Sequence, residues 1–95
     1  MANIFTTRRI REELDLRNLA CVVDTILKNE KREDMDDFQI FNLQETIMIN
    51  KQEVPERIEE IPLGYMNTQK CNVWAVKSID PTYGEVWTIM YPSEY

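Results

Sequence analysis

The sequence predicts an α+β fold: one main helix packed on a mostly antiparallel sheet of about five strands, as a single domain over residues 1–95. Three observations predict it. Apolar residues recur at helical spacing from Leu16, the period changes to two after Asp37, and Asp80-Pro81-Thr82-Tyr83-Gly84 joins two alternating runs near the end. A chain of 95 residues can enclose one modest core but not two. Its 43% apolar and 29% charged residues are ordinary for a globular protein.

Each element follows in order. Asn3 to Thr7 is short and β-branched and reads as an opening strand. Thr6 to Glu13 is crowded with charge and reads as a connection. Asp15 can cap a helix by accepting a free first-turn amide. Leu16, Leu19, Ala20, Val23, Ile26 and Leu27 then form one stripe, with Arg17, Asp24 and Lys28 elsewhere on the surface. Lys28, Lys31 and Arg32 suit the helix's negative end, so the helix is expected from about Leu16 to Lys31. Glu30 to Asp37 lacks periodicity and reads as a loop.

Strands are expected at Phe38–Leu43, Thr46–Lys51 and, interrupted by Pro62, at Arg57–Leu63. Val73 to Ile79 alternates, with Val73, Ala75 and Ile79 on one face and Trp74 and Val76 on the other. Val86 to Tyr91 is its return strand. In the turn between them, proline sets one dihedral and Gly84 can take a positive one. Phe41, Trp74 and Trp87 are expected to finish the core or to form a patch on the other sheet face. Pro55, within Gln52-Glu53-Val54-Pro55-Glu56, signals a bend or a sheet edge, read as edge protection or as an exposed recognition edge.

Charge is distributed unevenly. Residues 1–35 balance seven bases against seven acids, whereas residues 36–95 hold ten acids against Lys51, Arg57, Lys70 and Lys77. The whole net charge of −6 therefore sits in the strand-rich part. Such a chain repels phosphate and associates fastest with basic proteins. Glu53, Glu56, Glu59, Glu60 and Glu85 are the candidate partner-binding acids, with Trp87 and Tyr95 as exposed aromatic anchors.

Chemistry at an imidazole is excluded, because there is no histidine. Cys21 and Cys71 cannot close a zinc site and are read as small packing residues. Asp34, Asp36, Asp37 and Glu45 fall at spacings reminiscent of a calcium loop, but the glycine that turns such a loop is missing and strand residues stand in its place. No spacing selects a catalytic carboxylate pair. The expectation is a non-enzymatic protein without metal or cofactor. No apolar run is long enough to span a membrane, and the start from Met1 to Arg9 does not read as a secretory signal, so a cytoplasmic location is expected.

One patch runs against the acidic balance. Arg8, Arg9, Arg11 and Arg17 could contact nucleic acid, although Glu12, Glu13 and Asp15 interleave with them and are expected to neutralise them. Direct nucleic-acid binding is thus the lesser reading. A structural homo-oligomer joined along the edge of the last hairpin is a further one.

The order of these features resembles a known family. It runs from the Thr7-Arg8 front with Glu12-Glu13, through the Asp37-Phe38-Gln39-Ile40-Phe41-Asn42-Leu43 strand, to the Gln52-Glu53-Val54-Pro55-Glu56 bend. A strand containing Trp74 follows, and the close is Thr88-Ile89-Met90-Tyr91-Pro92-Ser93-Glu94-Tyr95. This resembles domain-of-unknown-function family 960 of Gram-positive bacteria and their phages. The chain departs from that pattern in holding Arg9 after Thr7-Arg8, where a glycine is expected. The resemblance implies a compact α+β fold and no catalytic residues. Occurrence in phages would fit a small inhibitor of a host nuclease or defence complex, one whose acidic face imitates DNA.

Overall fold

The computed structural model describes residues 2–95. Strand β1 (Asn3–Thr6) leads into helix α1 (Arg8–Glu13) and helix α2 (Leu16–Asn29). Strands β2 (Phe38–Leu43), β3 (Ile47–Glu53), β4 (Glu56–Pro62), β5 (Cys71–Asp80) and β6 (Gly84–Met90) follow, and a 3-10 turn (Pro92–Glu94) closes the chain. The strands make one six-stranded sheet in the order β1-β6-β5-β2-β3-β4. All pairings are antiparallel except β1 with β6, which is parallel and was not foreseen.

The segment read as a connection contains α1. The Thr7 hydroxyl accepts the Ile10 amide at 3.2 Å, and the helix drives Ile10 completely into the core. Helix α2 is capped as expected, with the Asp15 carboxylate accepting the Arg17 amide at 2.8 Å. It ends two residues earlier than its charge pattern suggested, and its buried face is rotated from the expected stripe, sharing Ile26 and keeping Leu19 and Val23 half-buried against the core. Asn18, Val22, Thr25, Ile26 and Asn29 point inward, while Leu16 is 76% exposed and Ala20 also lies outside. Apolarity alone misplaces the stripe because three of the buried positions are polar and bonded within the core.

Thr25 bonds back to the Cys21 carbonyl of its own helix, whereas Asn29 begins a chain of side-chain amides between α2 and the sheet. Asn29 donates to Asn50 at 3.2 Å, Asn50 to Gln39 at 3.1 Å, and Gln39 to Gln52 at 3.0 Å. Gln52 then donates to the Asp34 and Pro55 carbonyls, both at 2.9 Å. All four amides are at most 3% exposed. Asn18 likewise donates to Asn67 at 2.9 Å and accepts from the Tyr65 hydroxyl. Buried amides are tolerated when their donors are paired, and here the bonds to Asp34, Pro55, Asn67 and Tyr65 also hold segments that lack regular structure.

Apolar groups fill the rest of this inner side. Ile10, Val22, Ile26, Phe41, Leu43, Met48, Val73, Ala75, Trp87 and Ile89 form the core, each no more than 1% exposed. The final hairpin turns as predicted, with Gly84 at φ +76° and the Asp80 carboxylate accepting the Thr82 and Tyr83 amides.

Replacing one member of the amide chain should be costly. Asn50→Leu strands the Asn29 donor and the Gln39 acceptor, and is expected to destabilise by about 2–4 kcal/mol in urea titrations. The double variant Gln39→Leu/Asn50→Leu should cost less than the sum of its singles, because it removes both sides of one bond. Additive losses would mean that the bonds act independently.

Candidate interaction face

Strand alternation divides the sheet into two unlike faces. The inner face is covered by the helices. On the outer face, register aligns Met90, Trp74, Ile40, Lys51 and Ile58 across five strands. A neighbouring row holds Phe5, Thr88, Val76 and Phe38, and another Asn72, Asn42, Ile49 and Glu60. Among the described residues, neither α1 nor α2 covers these rows.

The chain's C-terminal end packs against this side. Tyr95 stands edge-on to both Phe38 and Trp74, with ring centroids 5.6 Å away in each case, and Phe38 meets Trp74 at 4.9 Å. Tyr95 nevertheless remains 73% exposed. At the far side of the face, Phe5 and Tyr83 pack edge-to-face at 5.3 Å. The result is an apolar band carrying several aromatic rings.

The expected acids separate cleanly. Glu53 and Glu56 lie directly opposite one another at the β3–β4 hairpin, and Glu60 follows on the same outer side. Among the described residues, none of these three has an ion-pair partner. Glu59 belongs instead to the inner row Val73-Phe41-Asn50-Glu59 and is held by Lys28 at 3.4 Å and Arg57 at 3.5 Å. Glu85 stays exposed but falls by parity on the helix side of the sheet, where it pairs with Lys77 at 3.0 Å. These two do not join the outer group.

Trp87 is a correction. Rather than an exposed anchor it is 1% exposed, packed in the core, with its indole N–H donating to Glu30 at 2.7 Å. Its parity on β6 places it under the helices; Trp74, on the opposite face, is the exposed-side tryptophan. Sequence alternation put Trp74 and Val76 on one face correctly, but could not tell which face the helices would cover.

The arginines are mostly engaged locally. Arg8 pairs with Glu12 and Arg9 with Glu13, each at 3.2 Å, and Arg17 pairs with Asp15 at 3.2 Å. Arg9 also lies over the Tyr91 ring and Arg17 over Tyr65. Of the four, only Arg11 lacks an acidic partner among the described residues. The homo-oligomer joint proposed at the last hairpin is likewise closed, because β6 is flanked by β1 and β5 by β2.

A separate cleft of about 290 Å³ lies between the loop after α2 and β6, lined by Glu30, Arg32, Glu33, Lys77, Glu85 and Trp87 among others. Lys77 pairs with Glu85 there and Glu30 accepts the Trp87 indole N–H, whereas the terminal nitrogens of Arg32 are enclosed without hydrogen-bond partners. No helix among the described residues is long and apolar enough to cross a membrane. No protein-family model, curated protein or solved structure matches the chain.

The C-terminal turn that places Tyr95 is held by one carboxylate. Glu94 accepts the Tyr91 amide and the Thr7 hydroxyl, both at 2.9 Å. The Tyr91 amide foremost, aided by Thr7 and the nearby Arg9, holds the Glu94 carboxyl below the usual carboxylate range. Its pKa is depressed in the folded protein, so its contribution is present above the unfolded value and lost as pH falls through the folded one. Acidification below the ordinary glutamate range should therefore loosen Tyr95 from Phe38 and Trp74 before the core melts. Tyr95 ring resonances followed by NMR should shift with a sub-normal midpoint, and Glu94→Gln should abolish that titration. A midpoint unaffected by Glu94→Gln would assign the transition to another group.

Proposed function

We propose that this chain is a non-enzymatic interaction protein that docks a basic protein surface on its outer sheet face. The observation that carries this reading is the coincidence of an uncovered apolar band with unpaired acids at one end of it. Such a composition, an aromatic centre with a charged rim, is typical of binding surfaces. Glu53 and Glu56 add support, since like charges directly opposite one another on a hairpin are unfavourable. A cation from a partner would relieve that repulsion. Phe38, Trp74 and Tyr95 supply the rigid anchors, and Glu53, Glu56 and Glu60 the field.

Charge density favours docking on a local basic patch over imitation of a nucleic acid. Glu56 and Glu60 are about 13 Å apart along a strand, at about 3.3 Å per residue. A duplex carries about eight phosphates over that length, at one per ~1.7 Å. Docking on a local basic patch requires only a few acids, and a nucleic-acid enzyme or defence complex could provide such a patch. Inhibition of a host enzyme belongs to this proposal as one form it could take.

Reversing the charge of the outer acids tests it. Tagged wild type, Glu53→Lys/Glu56→Lys/Glu60→Lys and the control Glu12→Lys/Glu33→Lys/Glu45→Lys are used to capture complexes from a Gram-positive lysate at low salt. The two variants change net charge equally on different surfaces. A partner bound by wild type and control, released by salt and weakened about tenfold or more by the outer-face variant, is the expected result. Equal loss in both variants would reduce the effect to net charge, and equal retention would remove the outer face from function.

A further inference from the structure

The sheet ends at β4, and its hydrogen-bonding phase can be read from two bonds. The Leu63 amide donates to the Thr46 carbonyl at 3.0 Å, one step beyond the Ile47–Pro62 pair. Antiparallel ladders alternate bonded and non-bonded pairs. With register constant along the whole hairpin, Arg57, Glu59 and Ile61 therefore bond to β3, whereas the amides and carbonyls of Glu56, Ile58 and Glu60 point away. The Gln44 amide, which donates to Ile47 at 2.9 Å, gives the same phase independently: it turns Ile47, Ile49 and Lys51 toward β2 and leaves Met48, Asn50 and Gln52 for β4. Pro62, which has no amide hydrogen, falls at an outward-facing position as this phase requires.

The opposite edge is less suited to pairing. β1 has only four residues and runs directly into α1, whereas β4 offers seven. No described segment pairs with the free side of β4. Along that side the outer-face side chains read acid, apolar, acid: Glu56, Ile58 (60% exposed) and Glu60.

We infer that β4 accepts an extended segment of a partner as a further antiparallel strand, carrying basic, apolar and basic side chains at alternate positions. The inference rests on the outer-face reading above and specifies its mode. Main-chain bonds to Glu56, Ile58 and Glu60 supply pairing, and opposite-charge and apolar cross-strand contacts supply selection. Charge also selects against a second copy of this chain. Antiparallel self-pairing centred on Ile58 would set Glu56 against Glu60 on both sides of the centre, where like charges repel.

The probe is the peptide Thr-Thr-Lys-Thr-Ile-Thr-Lys-Thr-Thr, compared with its Lys-to-Glu version and with a version N-methylated at the lysine and isoleucine amides. Binding is followed by NMR shifts and by exchange protection of the Glu56, Ile58 and Glu60 amides. The expected result is binding of the lysine peptide with protection of those amides. Affinity should fall at least tenfold on N-methylation, and Glu56→Lys/Glu60→Lys should reverse the preference toward the glutamate peptide. Equal binding of the N-methylated peptide would overturn strand addition while leaving a charged docking face intact. Equal binding of the lysine and glutamate peptides, or of neither, would overturn both. Protection that rises with protein concentration in the absence of peptide would overturn the proposal in favour of self-pairing.

Discussion

The buried amide chain Asn29–Asn50–Gln39–Gln52 is the constraint on which the arrangement depends. It begins at the last residue of α2, crosses β3 and β2, and ends on carbonyls of the loop after α2 and of the β3–β4 hairpin. Sheets packed only by apolar contact can accept small shifts of a covering helix, because dispersion is non-directional. Hydrogen bonds in a dry interior are directional and expensive to leave unmade. The helix end is thereby fixed over one face of β2 and β3, and the other face of the sheet becomes the outside. The loop after α2, which has no regular structure, is held by the same chain: Asp36 offers its carbonyl to Gln39 and its amide to Gln52.

The chain ends are closed by a second, more exposed set of bonds. β1 lies parallel beside β6, and Thr7, Tyr91 and Glu94 tie the start of α1 to the C-terminal turn. This closure protects one side of the sheet and brings Tyr95 onto Phe38 and Trp74. It leaves β4 open on the other side. Natural sheets commonly blunt such edges with charge and proline, and β4 carries both. The same charges that discourage self-pairing give the edge a preference among other strands, so protection and recognition are compatible here.

Pairing within the protein reshapes its charge. Arg8, Arg9 and Arg17 face acids supplied by their own helices, so the basic cluster presents little free positive charge. Glu59 and Glu85 are likewise neutralised by Lys28, Arg57 and Lys77. Exposed pairs of this kind contribute little stability, but they remove both signs from the surface seen at a distance. Glu53, Glu56 and Glu60 remain as an unbalanced group beside the apolar band, and the functional proposal rests on that location rather than on total charge.

Local pattern alone determined the α+β class, the Asp15 cap, the final hairpin with its glycine turn, and the alternation that separates Trp74 from its neighbours. These are short-range effects, set by side-chain periodicity and turn chemistry. The parallel partner of β1, the short helix hidden in a charged segment and the true buried face of α2 were not legible. Each depends on a group distant in sequence: β6 for β1, the core for Ile10, and Asn50 and Asn67 for the polar residues of α2. The candidate site divides the same way. Composition pointed to the acidic strands, yet only the fold decided that Glu53, Glu56 and Glu60 share the open side while Glu59, Glu85 and Trp87 fall on the helix side. A strand's period fixes which residues lie together; the face that meets water is fixed by what packs against the other.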